Sequence, residues 1–363
     1  MKKAITLICT ILLTISVSSQ VVDAKSGATS MVEEKVINYQ DPRSHREYNN
    51  DNFDNYPLVP LKISLPYIGG EISNPGVATL EDCEIRLVFI KEVIPESKGG
   101  EPVFRGFFKY SGYPLADLLN DFIIKKSNME EFSPVVDLFV VVENDLGESA
   151  VFSWGEIFFS KRGRDIIFAT AVSPIFPTKA DDRWEIPTEC SIIAGNDFLT
   201  VRNIKQPTKI TIRSFPARFQ GKKGATLPIE PMISLSMNGD VFNIDAIPDG
   251  SDRLRFPTAF FGLHMGYKNV STFEGYSLGD ILNRSVTITT NDIQHGLLAA
   301  GASDGYRVVY SLSEILNRTD LEAVLLIDRG KADGGRFVIF PSADLFADRQ
   351  LKSVMKGYIV NFK

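Results

Sequence analysis

The stretch "GYPLADLLN", residues 112–120, returns as "GYSLGDILN" at residues 275–283, with six of nine positions identical. A copied unit sets the fold of the whole chain, so the repeat is the place to begin. In the first copy Leu115, Leu118, Leu119 and Phe122 follow i, i+3, i+4, i+7 spacing and share one face. Leu278, Ile281 and Leu282 do the same in the second, and Pro114 suits a first helical position, where a missing N–H is not needed. The pattern predicts one short buried helix in each copy, its apolar face covering a sheet.

The repeat extends in both directions. Upstream, "ISLPYIGGEI" at 63–72 answers "ISLSMNGDV" at 233–241, each a strand closed by a Gly-containing turn. Downstream, "VVDLFVVVENDLGESAVFSWGEIFF" parallels "HGLLAAGASDGYRVVYSLSEILN", both reading strand, polar turn, strand, short helix. Ser153 with Glu156, and Ser311 with Glu314, have the S-x-x-E spacing of a capping box. The endings, from Asp197 and from Asp344, share D-x-x-x-x-R and finish in a β-rich run. These matches predict duplicated domains at 56–214 and 228–363, joined by a Pro- and Gly-containing linker at 215–227.

The first 55 residues have a different texture. Lys2 and Lys3 precede an apolar run from Ala4 to Val17 and a compact Val22-Asp23-Ala24, the pattern of a signal peptide at 1–24. The run is too short for a stable membrane anchor, and nothing after Lys25 approaches the ~18 uninterrupted apolar residues of a spanning helix. Residues 25–55 are polar, without helical or strand periodicity, and read as a disordered lead-in. The expected location is periplasmic or extracellular. A net charge of -6 argues against a general electrostatic grip on nucleic acid. Signal removal leaves Cys83 and Cys190, too few for a disulfide framework and too far apart for a CxxC motif.

"GEISNPGVATLEDCEI" with "FRGFFKYSGYPLADLL", "DLGESAVFSWGEI" and "GNDFLTVRNIKQPTKITI" resembles the molybdopterin-binding domain of the sulfite oxidase family. The second half resembles it in "FEGYSLGDIL", "SDGYRVVYSLSEI" and "DGGRFVIFPSADLFADR". The resemblance implies an α+β fold, two tandem mixed-β domains with short helices, and a molybdenum cofactor ligated by one cysteine thiolate. The stretches where that ligand belongs, residues 84–106 and 253–275, contain no cysteine. Cys83 and Cys190 fall outside them, so the scaffold is expected without its soft metal ligand. The expected function is therefore a catalytically degenerate binding or assembly module that needs no cofactor and takes a small anion or a protein partner. The alternative is an active molybdopterin-dependent oxidoreductase with non-standard metal ligation.

Binding candidates follow from residue type. His264 lies among aromatic residues in the second half's counterpart of the ligand loop, where an imidazole either packs or binds. The insertion "KADDRWEIPTE" at 179–189 offers carboxylates in Asp181, Asp182 and Glu185, with Arg183 and Trp184 suited to an anionic or flat partner. "GASDG" at 301–305 matches a nucleophile elbow in letters, but a strand follows it where the elbow needs a helix, so it reads as a hairpin turn. Phe89, Phe104, Phe107, Phe260 and Phe261 are expected to fill whatever pockets the scaffold once had.

Overall fold

The computed structural model describes residues 56–96, 101–177, 180–219, 231–263, 266–330 and 335–362. The predicted signal peptide and lead-in, His264 and residues 220–227 of the predicted linker lie outside the described residues. Strand accounts for 48% of the structure and helix for 15%, arranged as four small sheets with a few short helices. The expected α+β pair of sulfite-oxidase-like domains is therefore corrected to a mostly-β architecture. The helical signals are real but brief. Leu115–Asn120 is six residues long and Leu278–Ser285 eight, so each covers a patch of sheet and forms no layer of its own. Pro114 is the N-cap of the first helix, one position before the predicted site.

The two halves repeat one strand order. In the first, an outer sheet runs Arg86–Ile94, Val103–Pro114, Ile166–Pro174, Ser191–Ala194, Ile204–Lys205, with Val59–Pro60 added alongside. In the second the outer sheet runs Arg253–Gly262, Gly266–Ser277, Val324–Asp328, Phe337–Pro341, Leu351–Lys352. The inner sheets match as well: Gly76–Val77, Tyr67–Gly70, Pro207–Ser214, Leu138–Asn144, Ser149–Ser153 against Asp240–Ile244, Ile233–Met237, Val354–Asn361, Gly296–Ala302, Arg307–Ser311. Both inner sheets contain one parallel pairing, Tyr67–Gly70 with Pro207–Ser214 and Ile233–Met237 with Val354–Asn361. Register through those pairs makes Ile68 the counterpart of Leu235, which displaces the predicted alignment of 63–72 with 233–241 by three residues.

Alternation along the inner strands shows how the sheets stack. Leu138, Val140 and Val142 face a core shared with Phe168, Ile192 and Ala194 of the first outer sheet, while Phe139 and Val141 face the other way. There they meet Leu297, Ala299 and Val309 of the second inner sheet, whose Leu298, Ala300 and Ala302 point into a third core with Leu326, Phe337 and Ile339 of the second outer sheet. With both faces covered, an inner strand has no polar face to show, which is why "LFVVV" and "GLLAAGA" read as unbroken apolar runs. The halves thus share cores, and the described residues fall in one compact unit. Phe215, Ala217 and Phe219, from the start of the predicted linker, pack into the core between the inner sheets.

A buried ionic seam crosses that core. Arg202 donates Nε and Nη2 to Asp197 at 2.7 Å each, and Nη1 and Nη2 to Glu156 at 2.9 and 3.0 Å. Arg349 repeats this with Asp344 at 2.8 and 2.7 Å and with Glu314 at 3.0 Å twice. Each arginine also reaches into the other half, Arg202 to Ser311 Oγ at 3.3 Å and Arg349 to Ser153 Oγ at 3.2 Å. Ser153 Oγ donates to Glu314 at 2.6 Å, closing the exchange. Both capping boxes are present, so Glu156 and Glu314 each cap a helix while holding an arginine. Burial pushes the Asp344 carboxyl up to about 6 even with Arg349 beside it, and burial likewise raises Glu156.

Candidate functional site: a cleft on the first half

The seam positions the cleft. Arg202 ends the turn Thr200–Arg202 with its side chain anchored inward, and the chain then presents Asn203 and Lys205 to a cavity of about 650 Å³ on the first outer sheet. Thr200 donates to Val93 O at 2.9 Å and Asn203 Oδ1 accepts from Ala194 N at 2.9 Å, fixing this wall to the sheet.

Glu92 and Tyr110 come from the paired strands Arg86–Ile94 and Val103–Pro114. Tyr110 Oη donates to Glu92 Oε1 at 2.5 Å. Burial raises the Glu92 carboxyl above the ordinary glutamate range, against the opposing pull of the Tyr110 hydrogen bond and the Lys205 charge. Burial raises Tyr110 too, and the Glu92 charge adds to it, so the phenol stays protonated.

The insertion at 179–189 supplies the facing wall. Backbone bonds from Lys62 N to Thr188 O and from Cys190 N to Lys62 O tie its end down. Trp184 Nε1 donates to Phe107 O at 3.0 Å, and its ring meets Phe104 at 5.6 Å and Phe176 at 5.1 Å. Arg183 lies 4.9 Å above the Phe176 ring. Gly106 is required beneath Trp184, because a Cβ there would fall 2.7 Å from the indole. Glu189 also lines the cleft, and its Oε2 is buried without a hydrogen-bond partner among the described residues. Arg105 and Lys205 line it with no ion pair among the described residues.

Of the predicted binding residues, Arg183 and Trp184 line this cleft, as does Glu185 of the same insertion. Asp181 and Asp182 are exposed and do not line it, and no group of three or more His, Cys, Asp or Glu side chains among the described residues is placed to hold a metal. The expectation that phenylalanines fill the pockets is corrected: Phe104 lines the open first cleft and Phe260 an open one on the second half, while Phe89 and Phe261 are exposed. Ser303 lies in a hairpin turn, its Oγ 3.1 Å from Ser353 Oγ, as the strand after it required. The sequence reading missed Glu92, Tyr110, Arg105 and Lys205, since nothing local marks residues that only strand register brings together.

Cys83 and Cys190 are free. Cys190 is buried in the core between the first half's sheets, its Sγ accepting from Ser64 N at 3.5 Å. Cys83 sits beside Thr79 O, its thiol pushed up by burial and by the charges of Asp117, Asp121 and Asp82. Neither sulfur lines the first-half cleft or its second-half counterpart, so a thiolate-held metal does not fit either one. Among the described residues no helix is long and apolar enough to cross a membrane. No protein-family model matches the chain, and no curated protein matches it.

Proposed function

We propose that the chain is an exported binding module whose first-half cleft holds a flat organic anion. The observation that carries this reading is the pairing of an aromatic wall, Trp184 and Phe104, with two cations that form no salt bridge among the described residues, Arg105 and Lys205, around one open cleft. Aromatic faces favour a planar ligand, and unpaired cations favour a negative one. Tyr110 and Glu92 are committed to each other, which suits shaping a floor better than turning over a substrate. Export is proposed from the Lys2-Lys3 start and the apolar run behind it.

The test is calorimetric titration of the full protein with benzenedisulfonate, planar and permanently charged, followed in parallel by tryptophan fluorescence. The chain has two tryptophans, and Trp154 is buried against Phe158, so quenching reports Trp184. Saturable binding is expected, lost in Trp184→Ala and weakened about tenfold in Arg105→Gln and in Lys205→Gln, the size of one charge-assisted contact. Binding that survives all three changes would place the ligand elsewhere.

A further inference from the structure

We infer that the second half carries a separate binding site, of different selectivity, for a small aryl carboxylate. Its cavity, about 300 Å³, lies between the hairpin formed by Arg253–Gly262 and Gly266–Ser277, the turn around Asp304, and the segment from Ala347 to Lys352.

Strand register shows what this cavity has in common with the first-half cleft. Each outer hairpin has a bulge at one place, between Glu92 and Val93 in the first and between Phe260 and Phe261 in the second. Just beyond it Val93 pairs with Phe104 and Phe261 with Tyr267, which makes Arg105 and Lys268 equivalent. Ile204 pairs with Ile192 and Leu351 with Ile339, which makes Lys205 and Lys352 equivalent, and Asn203 and Gln350 with them. Both cavities are therefore flanked by two cations and one amide at matching positions. Lys268 and Lys352, like Arg105 and Lys205, form no ion pair among the described residues.

The floor is where the cavities part. Glu92 is replaced by Phe260 and Tyr110 by Phe273, so the hydrogen-bonded pair at 2.5 Å becomes two rings 5.9 Å apart. Phe273 in turn stacks on Phe340 at 3.9 Å and 15°, which backs Phe260 with a rigid apolar stack. Lys268 Nζ stands 5.6 Å over the Phe260 ring. Two carboxylates also line the cavity, and both are engaged: Asp304 accepts from Tyr306 N at 3.0 Å and Asp348 from Leu263 N at 2.9 Å. Tyr306 donates its hydroxyl to Asp348 O at 2.8 Å and presents its ring as a further wall. Aromatic walls beside two lysines that form no ion pair among the described residues select a ligand with one flat apolar body and one acid group, and the volume, at the lower end of ligand pockets, has room for a single ring.

The experiment is a titration of the full protein with phenylacetate, read by amide chemical shifts. Saturable shifts are expected at Gly262, Tyr306 and Gln350 while the Trp184 indole signal stays still. Phe260→Glu, which installs the first half's residue, should weaken binding at least tenfold, and Lys268→Gln and Lys352→Gln about tenfold each. Phe260→Leu keeps the site apolar and should retain most of the affinity, which separates loss of chemistry from loss of folding. Unchanged affinity in Phe260→Glu, equally tight binding of inorganic phosphate, or shifts confined to the Trp184 side would overturn the inference. Because Trp184→Ala disables only the first-half cleft, phenylacetate binding in that variant is expected unchanged whatever becomes of the first-half reading.

Discussion

The two halves agree at the seam and differ at the clefts. Arg202 and Arg349 correspond, each making two hydrogen bonds to an aspartate and two to a capping-box glutamate of its own half and one to a serine of the other half, whereas Glu92 and Tyr110 have become Phe260 and Phe273. The physical reason is the cost of partial change. A residue in a buried charge network cannot be replaced alone without stranding its partners, while a residue lining an open cleft can be replaced and leaves only water behind. A seam of this kind holds two halves in register and lets their outer faces acquire separate ligands.

The seam gives the largest effect. Arg202→Met leaves Glu156 and Asp197 buried without their cation and is expected to cost about 3–5 kcal/mol in urea denaturation. Arg349→Met should cost the same, since its two carboxylates are equally buried. Because each arginine contacts a serine of the other half, the double variant should cost less than the sum. A cost under about 1 kcal/mol for either single variant would break the symmetry on which the comparison rests.

Next come the repeated glycines. A Cβ on Gly112 would stand 2.2 Å from Phe168 O, on the backbone of the facing strand, and one on Gly275 would meet Ile327 Cγ1 and Leu326 O at 2.8 Å. Both alanine variants should destabilise by about 1–3 kcal/mol, with Gly112→Ala the worse, because its clash with backbone is the closer, 2.2 Å against 2.8 Å. Thermal melts of the pair would show the order, and a reversed order would mean that the first-half strands separate more easily than their register implies.

These residues also show what was legible in the sequence. "GYPLADLLN" and "GYSLGDILN", the serine caps and D-x-x-x-x-R gave the duplication, because each signal sits within nine residues of chain. What they did not give was the architecture. Six-residue helices and apolar strands are equally at home in an α+β domain and in stacked sheets, and only the doubly covered inner strands distinguish the two. Arg183 and Trp184 were visible as an unusual insertion. Glu92, Tyr110, Arg105 and Lys205 were not, since a cleft floor is assembled by register across strands far apart in sequence.

A smaller contrast lies at the repeated helix starts. Ser277 Oγ accepts from Asp280 N at 3.2 Å, whereas Pro114 offers no side-chain cap. Ser277→Ala should cost about 1 kcal/mol, and the same measurement on Pro114→Ala should show no loss of a cap.

The finest distinction between the clefts is their response to pH. Glu92 is raised above the ordinary value of 4.5 by burial, so over the window between 4.5 and its own higher value it is mostly neutral in the folded protein and mostly ionised in the unfolded chain. A group raised in this way favours the folded state below that window and loses its contribution as pH rises through it. The same proton governs the ligand. While Glu92 is neutral, Arg105 and Lys205 act on an anion without its opposition, and once it ionises its charge adds to those of Glu185 and Glu189 in repelling the anion, an effect of about 1 kcal/mol near solvent. Benzenedisulfonate keeps its charge throughout, so its affinity for the first-half cleft should fall a few-fold as pH rises above the ordinary glutamate range and through the Glu92 titration, and Glu92→Gln should flatten the profile. Phenylacetate at the second-half cleft, where Phe260 replaces Glu92, should show no such fall above the range in which the ligand itself ionises. Parallel profiles at the two clefts would mean that the slope belongs to something they share, and the exchange of Glu92 for Phe260 would then have no bearing on selectivity.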